Sequence, residues 1–223
     1  MSQPPEIRVI TIEQNILQEN DRLAAQNRQR LHSKGIYTFN LLSSPGSGKT
    51  TLLVETLLVL KSELRCGVIE GDQHTTNDAR RIAETGVPVV QVNTRQSCHL
   101  DALHVQRALD QFPLEELDLL FIENVGNLIC PAEFDLGEDE KVALMSITEG
   151  EDKPAKYPLL FHLAQVLLLT KLDLLPHLRF DLADCKRQAL VVNPRLRIIE
   201  TSAYTRQGMA EWLDYARGKV PQI

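Results

Sequence analysis

Residues 42–51 read Leu-Ser-Ser-Pro-Gly-Ser-Gly-Lys-Thr-Thr, with an apolar run before them and another after. No other segment limits the fold as much. Gly46 and Gly48 let the backbone turn its N–H groups inward around a polyphosphate, and the motif requires a strand before the loop and a helix after it. Pro45, Ser47 and Thr51 fill out the loop, Lys49 brings a positive charge, and Thr50 offers a hydroxyl for Mg²⁺. The helix predicted over 50–64 aims the positive end of its dipole at the same phosphates. One position departs from the usual pattern: Ser43 stands where the first glycine of the loop is ordinarily found. The segment therefore predicts a nucleoside triphosphate as ligand.

Elsewhere the chain reads as helices alternating with apolar runs. An opening helix is predicted over Ile12–His32, with Thr11 and Gln14 as a capping box and Gly35 as its stop signal. Its apolar residues Ile12, Ile16, Leu23 and Leu31 form a thin stripe, which places it on the flank of a domain. Strands are predicted over 37–42, 67–70, 87–92, 117–123, 166–170 and 197–201. Most are continuously apolar, as strands covered on both faces are, so the fold class is α/β: a three-layer phosphate-loop architecture with a mostly parallel sheet flanked by helices. Residues 1–34 read as an N-terminal extension carrying a helix, and 35–223 as the phosphate-loop domain. Glu133, Asp135, Glu138, Asp139, Glu140, Glu149, Glu151 and Asp152 make the region from about 130 to 158 an acidic, loop-rich insertion.

Composition excludes several classes. With 223 residues, 43% hydrophobic and 24% charged, the chain suits one ordinary soluble domain, and no apolar run approaches the ~18 residues of a membrane span. A net charge of -6 without a basic cluster argues against nucleic acid as a partner. The start Met-Ser-Gln-Pro-Pro-Glu lacks the basic and apolar stretches of a secretory signal, which predicts a cytoplasmic protein. In that reducing setting the four cysteines do not form a disulfide framework.

Three segments refine the nucleotide. Asp72 ends the second strand, where a carboxylate can hold Mg²⁺ or its water shell. Glu123, heading Glu-Asn-Val-Gly-Asn, ends the fourth, with Gly126 placed to sense a γ-phosphate. Thr170-Lys171-Leu172-Asp173 reads as a guanine-specificity motif. The Asp173 carboxylate can accept from both guanine N1–H and the exocyclic amine, whereas adenine would leave it unpaired. Lys171 would lay its stem along the base, and Ser202 and Ala203 match a loop that meets the guanine oxygen. These positions predict GTP and GDP as nucleotides, with Lys49, Asp72 and Glu123 as the hydrolytic residues and Thr50 and Asp72 on the Mg²⁺ side. No glutamine is assigned to the attacking water and no arginine finger is evident, so slow turnover is expected.

Further segments carry a resemblance: Glu70-Gly-Asp-Gln with Thr76, Asp78, Ala79 and Arg80; Ser97-Cys-His-Leu-Asp-Ala; Glu123-Asn-Val-Gly-Asn-Leu-Ile-Cys-Pro; and Thr148-Glu-Gly-Glu-Asp-Lys-Pro with Lys156-Tyr-Pro. Together they resemble the HypB family of nickel-insertion GTPases, within the HypB/UreG group of metallochaperones, over essentially the whole GTPase domain. The resemblance implies delivery of nickel to the [NiFe]-hydrogenase large subunit, cooperation with a HypA-type nickel chaperone, a homodimer with GTP, and metal near the subunit interface. It also implies that Lys153 reaches a partner's nucleotide. Residues 1–34 hold neither the cysteine motif nor the histidine-rich tract that many members carry, which speaks against nickel storage. The urease-type sister family uses a Cys-Pro-His motif that this chain lacks.

Within that resemblance Cys98, His99 and Cys130 are the nickel or zinc candidates, since soft and borderline ligands suit those ions and not Mg²⁺. Cys98 and His99 are expected in the first turn of a helix running to about residue 109, with Ser97 as N-cap and the dipole favouring the Cys98 thiolate. Adjacent helical side chains diverge by about 100°, so the pair could serve two ions or bridge subunits. His104, Cys66 and Cys185 read as packing or surface residues. Two alternatives remain at this level, a urease-type accessory GTPase and a small-molecule phosphate-loop kinase. The kinase would have no use for Asp173 or the Cys98–His99 pair.

Overall fold

The computed structural model describes residues 12–73, 75–95 and 97–220, with side chains from Ile16 onward. The Thr11–Gln14 capping box lies outside the described residues. In chain order the elements are α1 (Ile12–His32), β1 (Tyr37–Ser43), α2 (Lys49–Leu60), β2 (Cys66–Asp72), α3 (Asn77–Ala83), β3 (Val89–Asn93), α4 (Ala102–Leu109), β4 (Leu119–Glu123) and α5 (Cys130–Glu133). There follow β5 (Glu140–Ser146), α6 (Lys153–Lys156), α7 (Pro158–Leu163), β6 (Val166–Thr170), α8 (Leu182–Val192), β7 (Arg197–Glu200) and α9 (Met209–Arg217).

Among the described residues the strands form one seven-stranded sheet in the order β3-β2-β4-β1-β5-β6-β7, and every neighbouring pair is parallel. Parallel pairing needs crossovers, which the helices supply on both faces. Alternate residues of each strand therefore enter different cores. On one face Phe39, Leu41, Val68, Phe121, Val142 and Leu168 meet Leu53 and Leu57 of α2 and Trp212 of α9. Phe39 and Phe121 stack at 5.7 Å, and Trp212 Nε1 donates to Thr56 Oγ1 at 2.9 Å. Each such side chain contributes about 1.5–3 kcal/mol by leaving water. The other face divides into one cluster against α4 and one against α7 and α8. Asn40, fully buried in the middle of β1, joins Asn124 and Glu138 at 3.3 and 3.2 Å.

Two sequence expectations are corrected. The acidic stretch from about 130 to 158 is no loop excursion: β5 lies inside it and occupies the sheet between β1 and β6. Four of its acids are paired within the fold. Arg28 holds Asp135 at 2.7 Å, Lys141 holds Glu138 at 2.6 Å, His32 meets Asp139 at 2.6 Å, and Tyr215 donates to Glu140 at 2.7 Å. Arg28, His32 and Tyr215 lie far from their carboxylates in sequence, and Glu138 also reaches Asn40 of β1 at 3.2 Å, so charge alone read as solvent exposure. The second concerns α1, whose buried stripe is Asn20, Ala24, Asn27 and Leu31, while Ile16 is exposed. Asn20 and Asn27 bind the main chain of Ala102, Asp135 and Leu136, so two asparagines join Ala24 and the expected Leu31 in seating this helix.

Register brings the C-terminal ends of the strands to one edge. Glu70 lies beside Glu123, Leu41 beside Glu123, and Ser146 beside Thr170. Ligand sites of open parallel sheets form at this edge.

Candidate nucleotide site and metal centre

Leaving β1, the chain turns through Gly46 (φ 76°) and Gly48 (φ 94°) into α2. Glycine occupies left-handed backbone here without the strain that a Cβ would bring. Ser43 is the last residue of β1 and is fully buried, its hydroxyl donating to the Ser44 carbonyl at 2.9 Å. The first position of the loop is ordinary strand, so serine fits where glycine is usual.

Lys49, Thr50 and Glu123 meet beneath the loop. Thr50 Oγ1 donates to Glu123 Oε1 at 2.6 Å and Lys49 Nζ to the same oxygen at 3.1 Å. Pro45, Gly46, Ser47, Gly48, Thr51, Asp72 and Gly126 line the same cleft, whose volume is about 660 Å³. Asp72 closes β2 and accepts from Thr75 N at 2.8 Å. Gly126 passes close to the loop, and a Cβ there would lie 3.1 Å from Pro45 Cα and N.

Sequence reasoning missed Glu70. It sits beside Glu123 in register, and each is 1% exposed. Burial, reinforced by the Glu123 charge, pushes the Glu70 carboxyl up to about 8. Among the described residues, Oε2 of each glutamate has no hydrogen-bond partner. Two buried carboxylates with orphaned oxygens, beside the Thr50 hydroxyl and Asp72, form a hard oxygen donor set that fits Mg²⁺. The signal was readable, because in a strand Glu70 shares its face with Asp72. Arg81 of α3 was also missed: it donates to Thr51 Oγ1 at 2.9 Å and lines the cleft. Nothing in its sequence spacing announced this. Lys153 lies near its own chain's loop, 3.4 Å from Ser44 Oγ and 3.5 Å from Glu149.

A second cleft of about 290 Å³ shares Gly48, Thr51 and Lys171 with the first and adds Asp173, Leu174 and Ala203. Lys171 has φ 62° and sends its ammonium to the Gly46 carbonyl at 2.6 Å, drawing its stem across the mouth of the loop. Ser202 Oγ donates to Asp173 Oδ1 at 2.5 Å, which fixes the carboxylate's orientation.

Cys98, His99 and Cys130 converge, their ligand atoms all within 4.8 Å of one another. The local prediction was wrong in one respect. α4 starts at Ala102 and is capped by Asp101, which accepts from His104 N at 2.7 Å in a capping box. Cys98 and His99 therefore lie in the irregular segment before the helix, with Sγ and Nδ1 3.7 Å apart, and helical divergence does not separate them. Nor does a dipole favour the thiolate: the neighbouring Cys130 sulfur raises the Cys98 thiol above its usual range. Burial lowers the His99 imidazole, keeping it in the neutral form that metals bind. Its ring lies 4.0 Å from that of Phe134. Cys66 and Cys185 are buried thiols pushed up to about 12 by desolvation; neither joins the cluster.

The cluster is tied to the phosphate side. Gln73, next to Asp72, donates to the Ser97 carbonyl at 3.1 Å. Asn127, next to Gly126, donates to the Cys98 carbonyl at 3.5 Å. Asn124 Oδ1 accepts from Leu100 N at 3.1 Å.

A parallel sheet with a glycine loop at its central strand, buried acids beneath the loop and an adjoining cleft lined by Asp173 defines a P-loop nucleotide-binding protein. A softer ligand cluster at the same edge narrows the class further. The chain belongs to the CobW/HypB/UreG family, whose nucleotide-binding domain matches residues 37–200. It is 58% identical over 208 residues to the hydrogenase maturation factor HypB of Azotobacter chroococcum, covering 92% of this chain and 68% of that one. Among solved structures, HypB of Archaeoglobus fulgidus superposes with a TM-score of 0.86 at 38% identity, covering 92% of this chain and all of that one. HypB of Helicobacter pylori, crystallised in complex with nickel, gives 0.85 at 34% identity, covering 92% and 98%. The resemblance read from the motifs and the fold class read from the strand pattern both hold. Among the described residues no helix is long and apolar enough to cross a membrane.

Proposed function

We propose that this chain is a GTP-hydrolysing metallochaperone that carries nickel, or zinc, at Cys98, His99 and Cys130 and assists nickel insertion into the [NiFe]-hydrogenase large subunit. One observation carries the reading: the soft ligand cluster hangs from the loops that line the phosphate cleft, through Gln73–Ser97 and Asn127–Cys98.

Lys49 and the N–H groups of the loop would hold the terminal phosphates, and Asp173 would accept from the guanine ring. Thr50, Asp72 and the Glu70–Glu123 pair would hold Mg²⁺, which when bound neutralises charge on the transferring phosphate. Glu123 would serve hydrolysis by holding Lys49 and Thr50 in place. Gly126 would respond to the γ-phosphate, and because Asn127 follows it directly, its displacement would be felt at Cys98. Nucleotide state would thereby bias metal affinity through differential binding. A homodimer formed with GTP would bring two such clusters together at the interface, in a cytoplasmic protein that receives nickel from a HypA-type chaperone. The Cys98 and Cys130 thiols and the apposed Asp173–Ser202 pair favour this reading over a small-molecule kinase.

The test is titration of Ni²⁺ and Zn²⁺ into wild type and Cys98→Ala, each with GDP and with a non-hydrolysable GTP analogue, read by native mass spectrometry. Wild type should bind metal in a nucleotide-dependent manner and the variant should lose that equivalent. Unchanged stoichiometry in the variant would refute the site.

A further inference from the structure

At the rim of the base cleft stands an aromatic ring that guanine recognition through Asp173 leaves unused. Tyr204 lines the cleft beside Ala203, Lys171 and Asp173, yet it is 90% exposed. Among the described residues no hydrogen bond or ring contact engages it. Single exposed aromatic residues are ordinary on protein surfaces, so exposure alone carries no weight. What sets Tyr204 apart is that its loop is pinned while its ring is free.

The pinning is extensive. Ser202 N donates to the Gln207 carbonyl at 2.9 Å, closing the turn, and Thr205 N donates to Ser202 Oγ at 3.1 Å. The same Ser202 hydroxyl holds Asp173. On the far side Arg206 adopts φ 63° and donates to Glu55 of α2 at 2.8 Å. Beyond it Gly208 packs so closely that a Cβ would fall 1.8 Å from the Glu200 carbonyl oxygen. A non-glycine residue at positive φ costs backbone strain and persists only where its surroundings fix it; here these hydrogen bonds hold the turn with Tyr204 between its fixed ends.

We infer that Tyr204 is a nucleobase-stacking residue, its ring packing on a face of the purine that enters the cleft along the Lys171 stem. This rests on the reading of the cleft as the guanine site and adds a division of labour to it. Stacking on an aromatic face is indifferent to the base's hydrogen-bonding edge, so Tyr204 supplies affinity and Asp173 supplies the choice of guanine. The contribution is the same for GDP and GTP, because the base does not change on hydrolysis.

The full chain is compared as wild type, Tyr204→Ala and Tyr204→Phe. Kd is measured by titration for GDP, a non-hydrolysable GTP analogue and ADP, and for inorganic triphosphate by competition. Tyr204→Ala should bind GDP and the GTP analogue about tenfold more weakly, to an equal extent. It should keep wild-type affinity for inorganic triphosphate and an unchanged melting temperature without nucleotide, while Tyr204→Phe should behave as wild type. Undiminished GDP affinity in Tyr204→Ala, or a matching loss for inorganic triphosphate, overturns the stacking role. Equal affinity of the wild type for GDP and ADP would instead overturn the choice of guanine by Asp173, and a matching loss of both in Tyr204→Ala would still support stacking.

Discussion

Replacing Asn27 by alanine removes one amide from the centre of α1 and tests how this helix holds the metal-bearing segments. The side chain is 1% exposed, and its Nδ2 donates to the Ala102 carbonyl at 2.8 Å and the Leu136 carbonyl at 3.0 Å. Ala102 follows the Cys98–His99 segment and Leu136 follows Cys130, so one amide joins the two pieces of chain that bring the ligands together. Two buried hydrogen bonds at about 1.5 kcal/mol each give about 3 kcal/mol. For a domain of this size that corresponds to a melting temperature lower by about 6–12 °C. Differential scanning calorimetry of the nucleotide-free protein measures it, and a nickel titration should show weaker binding, because the two segments are no longer held in register. A drop of less than about 2 °C would refute the argument that these carbonyls depend on the amide.

Glu70 gives a pH signature in Mg²⁺-free protein. Its carboxyl is raised from 4.5 to about 8 by burial and by Glu123, Asp72 and Asp78, with Lys49 opposing. Between those values the folded chain keeps a proton that the unfolded chain has released, so Glu70 lowers stability as pH rises through that window. Glu70→Gln should flatten the decline and melt higher than wild type at the alkaline end, and parallel stability curves for the two proteins would contradict it. Gly126→Ala would set a Cβ 3.1 Å from the Pro45 backbone. It should weaken the non-hydrolysable GTP analogue more than GDP, and equal losses would remove Gly126 from any γ-phosphate role.

The sequence alone carried the phosphate loop, because its requirements are local: positive φ at Gly46 and Gly48, a charge at Lys49, and a helix start. It also carried the α/β class, since strands buried on both faces must be continuously apolar, and it offered Asp173 as a candidate, because that motif is contiguous. Tertiary structure decided what depends on partners distant in the chain. β5 was hidden because Asp135, Glu138, Asp139 and Glu140 look solvated until Arg28, Asn40, His32 and Tyr215 are brought to them. The pairing of Glu70 with Glu123 arises from strand register, and the reach of Arg81 from the packing of α3. Cys98, His99 and Cys130 were nameable as residue types, but their convergence within 4.8 Å required the helix to begin at Ala102. Asp101 sets that start by capping the helix, and the buried asparagines of α1 bind the main chain beside it.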